Sequence, residues 1–471
     1  MPAHRKVAPA RAARYRLGLI SAALAASLSG LPGAHAASLL EAWRSAREAD
    51  PELTVARAAR SVGEARALRA DTLWRPQVAL SATAGLARSE TTVEGARFSA
   101  PPMGTISDAS FRTAVQGPSG QFALSLRQPL WNPELSAVAR QLALSSEGAS
   151  LQWQSDTQAA MLRLAEHWLT LGLASERVRT VVREQAALER ALTEATARWQ
   201  AGDEPVLGMH EARARLESVR ARQIAARSDR DTALSALADL TGLPPQVLDP
   251  AAPGRIRSDP AAPLDQWLAR AGTGNLAARA LALAVQVSGE RAAQTARGSG
   301  ASLDLLGRAS IDRMTGHGDY ASSASSGATQ GLVGLSLSMP LYTGGQREAQ
   351  HEEAVRQVDQ ARAELERTRR TVARETRAAW QRLDAGHARV TALEQALVAA
   401  GVRLGSTRTG REVGDRTTLD VLNAESELAQ VELTLTEARA SLLLDRLRLA
   451  RLAGTLDESD LAALEAALAA R

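Results

Sequence analysis

The residue types best suited to electrostatic chemistry gather in two short turns. The first reads Trp199-Gln-Ala-Gly202-Asp203-Glu204-Pro205; the second reads Gly410-Arg411-Glu412-Val413-Gly414-Asp415-Arg416 and runs on through Thr417, Asp420 and Asn423. Carboxylates and guanidiniums crowded at a turn can tie two segments together as ion pairs, or present a charged rim to a passing ion. In each turn a glycine supplies a left-handed helix stop, so Gly202 and Gly414 read as hinges. Asp203 suits the cap of the next helix and Pro205 its first turn. Asp420 has two readings. It is a rim carboxylate, or, because Thr417-x-x-Asp420 has capping-box spacing, it only satisfies the helix start.

Covalent, redox and metal chemistry find no comparable footing. The chain has no cysteine, which removes disulfides, thiolate metal sites and cysteine nucleophiles. Its seven histidines are scattered and none forms a His-Glu-x-x-His zinc motif. His351-Glu-Glu lies on a polar helix and reads as solvated. Gly272-Thr-Gly274 lacks the third glycine of a nucleotide fingerprint, and no Walker sequence exists. No catalytic, cofactor-binding or metal residue is assigned. The chain reads as a non-enzyme that draws energy for any transport from a partner.

The first 36 residues have a separate job. Arg5, Lys6, Arg11, Arg14 and Arg16 precede an apolar stretch from Leu17 to Leu31, and Ala34-His35-Ala36 closes the segment. This is the pattern of a secretory signal peptide cut after about Ala36, with an uncleaved anchor as the other reading. The basic excess sits in this segment, so the formal +4 charge of the chain belongs to the leader. A nucleic-acid footprint needs a basic surface excess, and that partner class drops out. Beyond the leader no apolar run is long enough for a membrane helix.

The turns must be positioned by an unusual mixture of elements, written twice. Leu124-Ser-Leu-Arg-Gln-Pro129-Leu-Trp131 reappears as Leu335-Ser-Leu-Ser-Met-Pro340-Leu-Tyr342, and with a single slip the register holds through Gly202/Gly414, Ala212/Ala424 and Gly242/Gly454. A tandem duplication follows, with repeats 37–250 and 251–456 and a C-terminal helix or tail 457–471. The first repeat is expected to hold a helix over 39–73, a hairpin 77–128, a long helix 134–201 and a helix 205–241. The second holds a helix over 264–296, a hairpin 302–340, a long helix 346–409 and a helix 417–454. Within the first hairpin, 87–120 reads as a polar loop.

The strands alternate. Phe122, Leu124 and Leu126 interleave with Ala123, Ser125 and Arg127; Leu303, Leu305 and Ile311 lie opposite Asp304, Arg308 and Ser310; Val333, Leu335, Leu337 and Met339 interleave with small residues. About nine to eleven such residues suit a strand crossing an outer membrane. Trp74, Trp131 and Tyr342 fall at the same end of three strands, where an interfacial aromatic girdle belongs, and Pro129 and Pro340 mark strand–helix junctions. Four strands cannot close a barrel, and open edges in lipid leave backbone groups unpaired, so several chains must pool them. The long helices carry a seven-residue seam, Leu164, Leu171, Val178, Leu192, Trp199 and Val358, Leu365, Val372, Ala379, Leu393, which specifies coiled-coil packing.

The second turn, Val413-Gly-Asp-Arg-Thr-Thr-Leu-Asp-Val-Leu-Asn-Ala424, is similar to the periplasmic tip of the TolC family of outer-membrane channels, and the tail Leu452-Ala-Gly-Thr-Leu-Asp-Glu-Ser-Asp-Leu461 resembles members serving type I secretion. The resemblance extends over the whole chain after the leader. It implies a mainly α fold with a membrane β-barrel portion: a homotrimer in which each chain gives four strands to one twelve-stranded barrel, and the helices form a periplasmic tunnel. It places Arg416 where the family has a gate-holding arginine and Asp420 where it has an aspartate ring. Asn423 occupies a second acidic position, Gly208 an expected gate aspartate, and Arg411 the partner tyrosine. Arg416 then pairs with Asp203, Glu204 or Glu412 instead.

The resemblance further implies an outer-membrane exit duct in contact with outer-membrane lipid. Its partners would be an inner-membrane ABC transporter, or an RND pump, and a periplasmic adaptor. Type I protein secretion, of cargo such as RTX-type toxins or hydrolases, is preferred over multidrug efflux. The tail favours it, and no cysteine follows the leader to carry the lipid anchor common in dedicated efflux members. The reading from another class is a soluble periplasmic coiled-coil adaptor or scaffold.

Overall fold

The computed structural model describes residues 37–469 apart from 103, 203–204, 255–261, 298–299 and 319–322. The leader 1–36 and the turn residues Asp203 and Glu204 therefore lie outside the described residues. In chain order the elements are α1 (Leu39–Ala49), α2 (Pro51–Thr72), β1 (Gln77–Ala100), β2 (Gly104–Trp131), α3 (Pro133–Ala201), α4 (Val206–Thr241), a 3-10 turn, α5 (Leu264–Gly274), α6 (Leu276–Arg297), β3 (Ser302–Gly318), β4 (Ser323–Ser338), α7 (Gln346–Glu412), α8 (Thr418–Leu452) and α9 (Glu458–Ala469).

Two helices expected to be continuous are each broken by a capping side chain. Between α1 and α2, Asp50 Oδ1 accepts from Glu52 N at 2.8 Å and Pro51 opens the new helix. Between α5 and α6, Asn275 Oδ1 accepts from Ala278 N at 3.0 Å. An Asx side chain competes for the backbone donors of the following turn, which ends one helix and starts the next.

The chain divides into two bodies. The first comprises 56–155 and 275–372 and holds a four-stranded antiparallel sheet in the order β1-β2-β3-β4. Register places Leu80 opposite Leu124, Phe122 opposite Ile311, and Leu305 opposite Leu335, so the apolar residues share one face. That face is bare in the single chain: Leu86 is 87% exposed and Val333 81%. On β1 the apolar run from Val78 to Leu86 spans roughly 27 Å at about 3.4 Å per residue. The other face carries small and polar residues, and there Arg127 pairs with the buried Asp304 at 2.8 Å.

The expectation of a loop over 87–120 is wrong. β1 and β2 stay paired from Ala87 opposite Gly117 to Ala100 opposite Gly104, with bulges near Gly95 and Asp108, both at positive φ. The ladder is built from backbone groups and does not require an apolar face. Side chains such as Arg88, Glu90, Thr92 and Arg112 removed the alternation signal without removing the strand. Pro129 likewise lies inside β2, at the register shift between Pro129 and Trp131, where a proline's missing donor is tolerated. Pro340 falls beyond the end of β4.

The second body comprises 37–55, 156–274 and 373–469. Its core is a set of helix seams. α7 packs on α8 through Ala379, Leu383, Val390, Leu435, Leu442 and Leu449, with Trp267 of α5 against them. α3 packs on α4 through Val181, Leu188, Leu216 and Val219. The seven-residue seam holds at Leu164 and Leu171, which are buried, and fails at Trp199, which is 43% exposed at the end of α3. α3 has 69 residues and α7 has 67, so each is about 100 Å long at 1.5 Å per residue.

Candidate functional site

The candidate site lies in the second body, where α3 turns into α4 and α7 into α8. Both reversals use a glycine in the left-handed region, Gly202 at φ 81° and Gly414 at φ 84°. Gly410 O accepts from Asp415 N at 2.8 Å and Arg416 N at 3.2 Å, which closes the C-terminus of α7. Thr417 then caps α8. Its Oγ1 accepts from Asp420 N at 3.1 Å, and Asp420 Oδ2 accepts from Thr417 N at 2.9 Å. The capping-box reading of Asp420 is thus realised in the single chain. The backbone and hydroxyl hydrogen bonds from Thr417, aided by the Arg416 charge, hold the Asp420 carboxyl below its ordinary range.

Arg416 does not pair with Glu412. Its Nε lies 3.9 Å from Asp415 Oδ2, and among the described residues no other carboxylate comes within ion-pair distance. The carboxylate beside it on the same tight turn is closer than that of Glu412 at the end of α7. Arg411, by contrast, reaches across to α3 and closes on Glu194, which also holds Arg198 at 2.9 Å. Asn423 accepts from Arg215 Nη1 of α4 at 2.7 Å. Gly208 lines a small cavity with Thr417, Thr418 and Leu419, so the missing side chain there leaves room beside the start of α8.

Deeper along the same helices a cavity of about 530 Å³ opens among α3, α4, α7 and α8. Its apolar floor includes Leu188, Val219 and Leu422. Its charged wall is mostly neutralised in pairs: Arg222 with Glu184 at 2.7 Å, Arg408 with Glu425 at 2.7 Å, and Arg183 with Glu432 at 3.7 Å. The arrangement is electrostatic stitching between two helical hairpins. Among the described residues no group of histidine and carboxylate side chains could hold a metal ion.

Sequence reasoning missed Glu194, Arg215 and Glu184. The only signal for them was position: Glu194 and Arg215 adjoin the buried Ala195 and Leu216, and Glu184 lies within a helical turn of the buried Val181 and Leu188, where a long polar side chain can reach over the seam to a neighbouring helix. Nothing in linear spacing paired Arg215 with Asn423, more than two hundred residues away. At the sheet, Gln128 Nε2 donates to Trp74 O at 2.6 Å, and Trp131 and Tyr342 are 51% and 90% exposed.

The outer membrane efflux protein family matches residues 42–243 and 267–455. The outer membrane protein TolC of Escherichia coli (strain K12) is 27% identical over 452 residues, covering 94% of this chain and 87% of that protein. The proteases secretion protein PrtF of Dickeya chrysanthemi is 28% identical over 459 residues, covering 93% of each. Among solved structures, the Campylobacter jejuni CmeC outer membrane channel superposes with a TM-score of 0.69 at 14% identity, covering 91% of this chain and 89% of that one. The last likeness speaks for the fold: a mainly helical chain with antiparallel strands.

Proposed function

Because the chain belongs to the outer membrane efflux protein family, we propose that it forms a passive exit duct through the outer membrane, assembled from three copies. The observation that carries this is the sheet. It has one bare apolar face and two unpaired edges, β1 and β4. Apolar residues on that scale are stable only against lipid, and edges in lipid must be paired. Three chains, each giving four strands, close a barrel of about twelve. The polar face then lines a lumen, and the long helices extend it as a periplasmic tunnel. A soluble adaptor or scaffold has no use for such a face.

The same reading makes residues 1–36 the export leader and the turns at 202–205 and 413–417 a periplasmic gate. Arg411, Arg416, Asp420 and Asn423 stand at its mouth, and the hinges Gly202 and Gly414 let the hairpins move. Trp74, Trp131 and Tyr342 anchor the inner interface. An inner-membrane ABC transporter with a periplasmic adaptor supplies the energy. Type I protein secretion is favoured over drug efflux by the similarity to a proteases secretion protein along nearly all of both chains, and by the lack of a cysteine to carry a lipid anchor.

Deletion of the gene tests the assignment. The expected result is loss of RTX-type toxins or hydrolases from the culture medium, with unchanged accumulation of a fluorescent efflux substrate. The reverse result assigns drug efflux with an RND pump. Recovery of the protein in the soluble periplasm, with no detergent-stable trimer, would overturn the duct itself.

A further inference from the structure

The sheet treats its arginines in two ways. Arg112 and Arg127 are each closed on a carboxylate of their own face, Glu90 at 2.5 Å and Asp304 at 2.8 Å. Arg88 and Arg313 are both exposed, and among the described residues neither has an ion-pair partner. Glu90, the next acid beside Arg88 on that face, is already engaged by Arg112.

Arg88 and Arg313 each follow the last large apolar residue of their strand on the apolar face. Side chains two apart on a strand share a face. Arg88 is therefore the first residue beyond Leu86 on the apolar face of β1, and Arg313 the first beyond Ile311 on the apolar face of β3. Both lie on the hairpin side of the apolar run, with the β1–β2 ladder continuing beyond Arg88 to Ala100; the opposite end has Trp74, Trp131 and Tyr342. Between β1 and β3 runs β2: Arg88 pairs with Gln116, which faces His317, while Arg313 faces Gly120 on one side and Gly327 on the other. Gly120 pairs with Ala84, so the two arginines are staggered by four residues with Pro118 and Gly120 of β2 between them. A side chain added at Gly120 would meet nothing within 4 Å. The two arginines thus stand at diagonal corners of a shallow patch, on strands about 10 Å apart and staggered by roughly 14 Å along them, a spacing suited to two separate phosphate groups.

An unpaired arginine beside a hydrocarbon band is costly unless its head reaches an anionic layer. Guanidinium is matched in geometry to phosphate, which it binds through two parallel hydrogen bonds. We propose that Arg88 and Arg313 form a binding site for the phosphate groups of a phosphorylated glycolipid in the outer leaflet. The proposal rests on the outer-membrane reading, which places the hairpin end outward. The apolar run below the site takes the acyl chains, and the small residues of β2 leave room for the sugar.

The test uses the full-length protein purified in detergent and reconstituted into phosphatidylethanolamine vesicles. One set contains diphosphorylated lipid A, a second the same glycolipid with its phosphates removed, and a third is given inorganic phosphate instead. Heat dissociation of the oligomer and retained lipid phosphorus are read for the native chain and for Arg88→Gln, Arg313→Gln and the double variant. The expected result is stabilisation by the phosphorylated lipid alone, weakened about fivefold in lipid affinity by each substitution. Equal retention by the native chain and the double variant overturns the site. So does equal stabilisation by the dephosphorylated lipid, and stabilisation by inorganic phosphate alone overturns the lipid assignment. Quenching by brominated acyl chains of a fluorophore attached through Leu124→Cys, in a chain with no other cysteine, reports membrane insertion separately. The glycolipid site therefore fails by itself if quenching is seen and phosphate selectivity is not.

Discussion

Arg215 on α4 donates to Asn423 on α8 at 2.7 Å, a charge-assisted bond with a neutral acceptor. It ties one helical hairpin to the other near their reversals and leaves the guanidinium charge uncompensated. Asn423→Asp converts this bond to an ion pair. The expected gain is about 0.2–1 kcal/mol per chain in the arrangement described here, the range for an exposed pair. In planar bilayers the variant should show a lower open probability than the native channel, and the difference should shrink in high salt.

The Arg411–Glu194 pair makes the complementary prediction. Both side chains are about one-third exposed, and they join the end of α7 to α3. Arg411→Ala removes that link while leaving Glu194 its second partner, Arg198. The loss should be small in global stability, about 1 kcal/mol or less, and visible in gating as more frequent openings. Glu194→Ala frees Arg411 and Arg198 together and should open the channel further. Unchanged single-channel records for both variants would remove the pair from the gate.

Asp420 offers a pH signature. Its carboxyl titrates below the ordinary range because Thr417 donates to it through both its backbone N–H and its hydroxyl. A carboxyl depressed in the folded state contributes stability that is present above its unfolded pKa and is lost as pH falls through the folded one. Amide protection in the first turn of α8 should therefore fall on acidification below about pH 4 in the native chain. Asp420→Ala should lower that protection at neutral pH and abolish its acid dependence. A ring role is read separately: if Asp420→Ala leaves cation block in a planar bilayer unchanged, the carboxylate is a cap alone.

What the sequence disclosed depended on whether a feature was periodic. The seam through Leu164 and Leu171 and the alternation around Leu124 and Leu335 were legible because burial or lipid contact imposes a repeat. The arm formed by residues 87–120 was not legible, since a strand pairs through its backbone and needs no alternation of side chains. The helix breaks were written in Asp50-Pro51 and Asn275, but capping side chains also occur where no break follows. At the turns the local chemistry was readable: Gly202, Gly414 and the Thr417–Asp420 box are short-range. The cross-helix partners Glu194 and Arg215 were not, because pairing across a seam depends on the relative rotation of two helices, which linear spacing does not encode.

Burial of one acid in α8 should dominate the energetics of its helix pair. Asp445 is nearly inaccessible and accepts from Arg382 of α7 and Arg448 of its own helix, both at 3.1 Å; Arg448 also reaches Glu166 of α3 at 2.8 Å. Asp445→Ala leaves two cations facing each other and should destabilise the protein by about 3 kcal/mol. That is the low end for a broken buried pair, because Arg382 is half exposed and can turn to water. Arg382→Ala keeps Asp445 paired through Arg448 and should cost about 1 kcal/mol. Thermal melting of the purified protein measures both, and equal losses would mean that Arg448 alone does not satisfy the acid.

The two faces of β2 should respond oppositely to charge. Leu124 lies on the apolar face opposite Leu80 and beside Ala309, while Ser125 points to the face that carries Arg127 and Asp304. If the apolar face meets lipid, an arginine at Leu124 sits near the middle of the band and costs about 2–4 kcal/mol per chain. Assembly multiplies that cost by the number of chains, so Leu124→Arg should fail to form heat-resistant oligomers. Ser125→Arg places the same charge one residue away, in a water-filled lumen, and should assemble normally with altered ion selectivity. Gel mobility without heating, compared for the two variants, decides the matter. Normal assembly of Leu124→Arg would mean that this face does not meet hydrocarbon, and failure of Ser125→Arg alone would invert the inside and outside of the barrel.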